Sequence, residues 1–267
     1  MEGFKNIGVS HFCKKDTESF RICTFNVHMF KDYHMNDSIE EIFEDINNIN
    51  SDVIVLEEAV FFGKTLRAKF NECVSKTKYK YVEMCNKKYG INIILSKHKL
   101  SNVKVIPLGK GSVGTVNRYA LSCNVKIHDK LFQIIGCHLD VYDETERTRC
   151  NQIKIILANV VLKNAIVLGD LNALRRDDYT DSQWDTIRLI DENRGVISKT
   201  NLIDLFESNK FVDSFKMSKT HPPIISTWSD RRVDYVYIGL QSQIKKMESH
   251  ILKTLSSDHY PIYVDIV

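Results

Sequence analysis

Proline is scarce, at four in 267 residues, and no low-complexity tract or internal repeat interrupts the chain, so disorder is expected at most near the ends. No apolar run approaches the length of a membrane span, and the opening "MEGFKNIGVSHFCKK" lacks the apolar centre of a secretory signal. The expectation is an intracellular protein, of cytoplasm or nucleus, with no membrane insertion. A dominant charge is missing too: 37 Lys and Arg against 34 Asp and Glu leave +3, too little to demand a polyanionic partner. Local patches such as Lys76, Lys78 and Lys80, or Lys87 and Lys88, still permit one. Cys-x-x-Cys pairs are absent, and an odd seven cysteines fit packed thiols in a reducing compartment better than a disulfide framework. Cys23, Cys123 and Cys137 fall in strand-like apolar segments and are expected to be such thiols.

What is present reads as one large α/β domain over residues 20–267 behind an N-terminal extension, residues 1–19. Strands rich in Val, Ile, Tyr and Phe are expected at Phe20 to Phe25, Val53 to Leu56, Tyr79 to Met84, Ile91 to Leu95, Val103 to Pro107, Tyr119 to Ile127, Phe132 to Cys137, Ala165 to Leu168, Val233 to Ile238 and Ile262 to Ile266. Helices are expected in "IEEIFEDINNIN", where Ile39, Ile42, Phe43, Ile46 and Ile49 keep a helical period, and in "ETERTRCNQIKIILANVVLK", "TDSQWDTIRLID" and "TNLIDLFESN". Asp37 or Ser38 is a candidate cap for the first and Thr200 for the last.

The strand ends carry the chemistry. Asn26 follows "RICTF", Glu57 and Glu58 follow "VIVL", His138 and Asp140 follow "FQIIGC", and Asp170 and Asn172 follow "AIVLG". Asp234 sits in "RRVDYVYI", and Asp258 and His259 precede "YPIYVDIV". In "GDLN", Gly169 reads as the point where a buried strand leaves its sheet, and Asp170 and Asn172, two apart, would point the same way. They could equally satisfy the backbone of a turn. Six strand ends of this kind are hard to ascribe to turns alone. Phosphoester hydrolysis needs this inventory: oxygen ligands for a hard divalent ion, a group to orient and deprotonate water, and donors facing the phosphoryl oxygens.

The ordered motifs "CTFN", "SDVIVLEE", "GCHLD", "GDLN", "RRVDYVY" and "SSDHYPI" resemble those of the endonuclease/exonuclease/phosphatase superfamily, the DNase I-like fold. The resemblance implies a four-layer α/β sandwich of two packed mixed β-sheets flanked by helices. It implies a Mg²⁺-dependent site, with Mn²⁺ as a substitute, in which Glu58 is the principal metal ligand and Asn26 and Asp258 lie close to the ion. Asp170 would position and deprotonate the attacking water, Asn172 hold water or phosphate, and His259 contact the scissile phosphate with Asp234 orienting it. His138 would serve the leaving group or the transition-state charge. Glu57 stands where the superfamily has Gln, which puts the identity of the metal-binding acid in question and could add negative charge. Arg149 and Gln152 resemble an Arg-x-x-Gln on the following helix and read as mainly structural.

Beside these, Arg175, Arg176 and Trp228 are candidates for substrate binding, Asp140 is either a site residue or a loop acid, and His28 and His34 read as solvated loop histidines. "TFN", "HLD" and "TW" before the Arg-x-Asp motif lean toward the nuclease-like and tyrosyl-DNA phosphodiesterase-like branches. The expected partner is nucleic acid, favouring DNA or its damaged ends, acted on by a monomer. A small inositol- or lipid-type phosphoester, or a binding module that has lost turnover, remain the alternatives.

Overall fold

A computed structural model of the chain describes Lys15 and residues 19–88, 90–113, 116–196, 200–218, 225–227, 229–239, 244 and 246–267. In chain order these form β1 (Phe20–Asn26), α1 (Ile39–Ile49), β2 (Val53–Val60), α2 (Lys64–Ser75), β3 (Tyr81–Asn86), β4 (Gly90–Ser96), β5 (Leu100–Lys110), β6 (Asn117–Ile127) and β7 (Lys130–His138). There follow α3 (Arg147–Ala158), β8 (Ala165–Asp170), α4 (Asp181–Asn193), α5 (Asn201–Ser208), β9 (Phe211–Asp213), α6 (Ser214–Met217), β10 (Asp234–Gly239), β11 (Met247–Ile251) and β12 (Ile262–Ile266). Two six-stranded mixed sheets result, ordered β11-β12-β1-β2-β4-β3 and β5-β6-β7-β8-β10-β9.

Alternation along each strand builds the layers. Ile22, Val53, Val55, Ile134, Ile166, Leu168, Val236 and Val264 point into a core between the sheets. Their neighbours turn outward: Cys23, Phe25, Ile54 and Leu56 meet α1 and α2, while Ile135, Val167, Tyr235 and Tyr237 meet α3 and α5. Helix, sheet, sheet and helix make the expected four-layer sandwich. The sheets approach closely at Gly136, where an added Cβ would come within 2.4 Å of Val55 Cγ1 on the facing sheet.

Strand direction gathers the motifs. β1 runs parallel to β2, and β7 parallel to β8, so their carboxyl ends share an edge. β12 is antiparallel to β1 and β10 antiparallel to β8, so residues that open those strands arrive at that edge. This is why Asp234 begins its strand whereas Asp170 ends one.

Gly169 departs from the sequence expectation. β8 continues through Asp170, and Gly169 lies inside it with φ of 143°, where a Cβ would fall 1.8 Å from the Cys137 carbonyl oxygen on β7. Glycine is needed here for close backbone approach. Gly169→Ala is expected to lower the thermal midpoint by roughly 10 °C or to prevent folding, since the obstruction is backbone and cannot repack. A midpoint within a few degrees of the parent would refute this.

Candidate active site

The inward-facing rows that begin with core residues end in polar ones. Ile22 and Thr24 lead to Asn26, Ile134 and Gly136 to His138, Ile166 and Leu168 to Asp170, and Val236 is preceded by Asp234. Register then sets His138 beside Asp170 and Asp170 beside Asp234 on the second sheet. Asn26 of the first sheet bridges the gap, its Nδ2 donating to Asp170 Oδ2 at 3.0 Å and reaching Glu58 Oε1 at 3.4 Å. His259, delivered by the segment before β12, places Nδ1 2.9 Å from Asp234 Oδ2 and Nε2 3.8 Å from Asp170 Oδ2. His138 Nε2 lies 3.6 Å from the same Asp170 oxygen and 3.8 Å from Glu58 Oε1. Asn26, Glu58, His138, Asp170, Asp234 and His259 thus converge from both sheets.

Burial and charge set the two imidazoles apart. Burial lowers the pKa of His259, but the Asp234 charge and hydrogen bond, with Asp170 and Asp258, override it and hold the group at about 10. Burial takes His138 down to about 4, with Arg118 and the His259 cation adding to the effect against Asp170. One imidazole is therefore cationic and the other neutral at pH 7. Burial, together with Asp234, raises the Asp170 carboxyl against the pull of both histidines, which makes it a stronger base than an exposed aspartate. Ser226 Oγ donates to Asp234 Oδ2 at 2.6 Å, and Tyr235 Oη donates to the Ala173 carbonyl at 3.0 Å, pinning the loop after Asp170 to β10.

The adjacent acids Glu57 and Glu58 separate by a bulge. Pairing of β2 with β4 shifts between Leu56 and Ala59, and Glu58 takes φ of 50°, which brings its half-exposed carboxylate toward Asn26 and His138. Glu57 continues the inward row instead. It is fully buried, accepts from Thr24 Oγ1 at 2.7 Å, and burial raises its pKa well above the ordinary carboxyl range. Folding therefore disfavours the additional negative charge that the sequence left open at Glu57. A carboxyl raised on folding contributes stability that is complete below its unfolded pKa and lost as pH rises through the folded value. Glu57→Gln should keep the side-chain shape without the ionisable group and melt progressively higher than the parent from pH 5 to pH 9. Parallel melting curves for the two proteins would rule this out.

The peripheral candidates divide. Asp258 is partly exposed and lies 3.5 Å from His28 Nδ1, so His28 borders the cluster and is not a freely solvated loop residue. His28 itself has φ of 43° and donates its backbone N–H to Asn26 Oδ1. Asn172 does not keep the strand direction of Asp170. At φ of 47° it donates its backbone N–H to Asp170 Oδ1 and its Nδ2 to the Leu139 carbonyl, so the turn and the site share one aspartate. Arg175 is 4% exposed and engaged by Glu207, while Arg176 pairs with Asp181 and lies over Trp184. Neither guanidinium joins the cluster, because Glu207 of α5 takes Arg175 and Asp181 at the start of α4 takes Arg176. Trp228 lies outside the described residues. Asp140 accepts from Ser112 N and Ser112 Oγ and so holds the β5–β6 loop. Gln152 and Arg149 clamp the Asp140 backbone, as a structural role requires.

Two contributors carried no motif. Arg118 places Nη1 3.5 Å from His138 Nδ1, and Ser226 fixes Asp234. Arg118 opens a long antiparallel hairpin strand where an arginine is unremarkable, and Ser226 is one serine among many. Beside the cluster runs a cleft of about 420 Å³ that includes Asn172 and His259 in its wall.

No known family profile matches the chain, and no curated protein matches it in sequence. Solved structures do match in fold. The endonuclease/exonuclease/phosphatase from Beutenbergia cavernae DSM 12333 is similar at a TM-score of 0.71 and 18% identity, covering 93% of this chain and 71% of that one. The endonuclease/exonuclease/phosphatase family protein from Leptotrichia buccalis C-1013-b gives 0.65 and 18% over 93% and 99% of the two chains. TDP2 from C. elegans gives 0.65 and 16% over 94% and 76%. The chain has the DNase I-like fold of these structures.

Proposed function

We propose that the protein is a Mg²⁺-dependent phosphodiesterase that hydrolyses nucleic acid, with DNA or damaged DNA ends as the favoured substrate. The observation that carries this reading is the convergence of Asn26, His138 and His259 on one raised-pKa carboxylate, Asp170, across two sheets. The fold likeness to TDP2 and to endonuclease/exonuclease/phosphatase structures supports it.

The donor set suits a hard divalent ion. Asp170, Asp234 and His259 bring ligand atoms within 4.8 Å of one another, but His259 is already paired to Asp234 and cationic. The oxygens that remain are those of Glu58, Asp258 and Asn26, and these would hold Mg²⁺, or Mn²⁺ in its place. When bound, the ion supplies Lewis-acid polarisation of a phosphoryl oxygen. Asp170 orients the attacking water and accepts its proton. The His259 cation, held by Asp234, donates to a phosphoryl oxygen as its charge grows. Neutral His138, with Nε2 3.6 Å from the same Asp170 oxygen and 3.8 Å from Glu58 Oε1, serves the leaving group or the transition-state charge, and Asn172 faces substrate from the cleft.

The test is hydrolysis by purified protein, with Mg²⁺, Mn²⁺ or EDTA, of abasic-site duplex, 5′-tyrosyl DNA, single-stranded DNA, poly(A) RNA, sphingomyelin and inositol phosphates. Metal-dependent cleavage of a nucleic acid is expected. Activity confined to the lipid or inositol substrates would overturn the substrate, and no activity on any of them would leave a binding module.

A further inference from the structure

The cleft beside the cluster has a basic wall that catalysis does not use. It is lined by Arg149, Arg194 and Arg231, and by Asn172 and His259, so it opens onto the catalytic residues. Arg149 is 8% exposed. Its Nη1 donates to the Asp140 carbonyl, but its Nε has no hydrogen-bond partner among the described residues. A buried guanidinium N–H left without an acceptor is costly unless something supplies one.

The two acids in the same wall are already engaged. Asp191 accepts from Arg231 Nη2 at 2.7 Å, and Asp143 accepts the backbone N–H of Arg149 at 2.8 Å. Arg194, at the end of α4, is exposed, and no side-chain partner faces it among the described residues. Three guanidiniums against two committed carboxylates leave the wall anion-seeking. Leu174, Ile190 and Val233 supply an apolar floor. At about 420 Å³ the space falls within the roughly 300–1,000 Å³ of small-ligand sites.

The geometry points to this cleft as the seat of the nucleotide next to the scissile bond, with Arg149, Arg194 and Arg231 receiving a second, non-reacting phosphate of the strand. This rests on the phosphodiesterase reading above. Planar guanidinium forks match phosphate oxygens in pairs, and the apolar floor accepts the sugar or base between the two phosphates. The arginines then select polynucleotide over isolated phosphodiesters, because only a strand presents a second phosphate at fixed spacing. α4 is what closes this wall, through Ile190, Asp191 and Arg194.

Two chromogenic substrates separate the subsite from the chemistry: thymidine 5′-(p-nitrophenyl phosphate) and the same compound carrying a 3′-phosphate. The parent protein should prefer the second by about tenfold in kcat/KM, expressed in KM, as one charged hydrogen-bonding interaction supplies. In Arg194→Ala that preference should fall severalfold, and in Arg194→Ala with Arg231→Ala it should vanish. Arg194 is exposed, so folding is not at stake in the first variant. No preference in the parent, or a preference that survives both substitutions, overturns the proposal. Should neither compound be hydrolysed, the phosphodiesterase reading fails, and calorimetric binding of thymidine 3′,5′-bisphosphate decides the cleft by itself. Affinity about tenfold weaker in Arg194→Ala supports the subsite, and equal affinity overturns it.

Discussion

Asp170→Asn should reduce turnover at least about 10³-fold while leaving the protein as stable as the parent or more so at pH 7. The loss follows from position. Asp170 receives Asn26 from the first sheet and faces two histidines, His138 on its own sheet and His259 from the segment before β12. An amide of the same shape can accept the Asn172 backbone N–H and fill the space, but it cannot take a proton from water. The stability follows from burial. Asp170 is 2% exposed, and its pKa is raised, so the charged form is disfavoured in the folded state. Its contribution to stability is present below the unfolded pKa and declines as pH rises toward the folded value, and asparagine has no such decline. Function and stability therefore move in opposite directions at this position, as expected where a site holds a strained or desolvated charge. Steady-state rates on the cleaved substrate and melting curves at pH 5, 7 and 9 test both halves. Retention of a tenth or more of the activity would remove Asp170 from the role of base.

Arg232→Met should cost about 3–5 kcal/mol, a fall in thermal midpoint of roughly 10 °C. Arg232 is fully buried and sends Nη2 to both oxygens of Asp213, at 2.6 and 2.7 Å, and Nη1 to Asp178 Oδ2 at 3.0 Å. Its guanidinium also lies 4.2 Å from the centre of the Tyr235 ring. Methionine fills similar volume, so the cost comes from two buried carboxylates that lose their hydrogen-bonded counter-ion, with only Arg175 Nη1 left 4.0 Å from Asp213. Converting those as well, with Asp178→Asn and Asp213→Asn, should recover most of the loss, which a cavity would not allow. A midpoint within about 2 °C of the parent in the single variant would contradict the assignment. Because Arg232 stands two residues before Asp234, the same substitution is expected to blunt activity even where the protein remains folded.

Much of this molecule could be read from its sequence, and the exceptions have physical causes. The inner strands were legible because core strands in a sandwich carry unbroken Val, Ile and Leu, as in "AIVLG" and "VIVL". β9, at three residues, and β11, with Glu248, Ser249 and His250 in a run of five, are edge-strand sequences with too little apolar signal. α2 was missed because it buries only Phe70 and Cys73, too few to mark a face. Thr200 does not cap α5 with its side chain. Glu146 does so from another segment, accepting the Asn201 N–H at 3.0 Å, and no local pattern announces such a cap. Within the site, the types and order of residues were visible, whereas their protonation was not. That burial raises the Glu57 carboxyl and that a bulge turns Glu58 depend on the facing sheet and on pairing with β4, both remote in sequence.

The placement of the site across the seam between two sheets gives it a mechanical sensitivity. Asn26 and Glu58 belong to one sheet and His138, Asp170 and Asp234 to the other, and the seam is set by Val55 seated against Gly136. Two stacked sheets can slide along their common face by small increments while losing little buried area, so a mild change at that seating point need not register as a loss of fold. The proposed catalytic constellation is less forgiving, since a displacement of about 1 Å can cost on the order of 10²-fold in rate. On the proposed function the protein acts as a vernier on its own core: turnover is expected to report a slip of one sheet past the other well before any melting curve does.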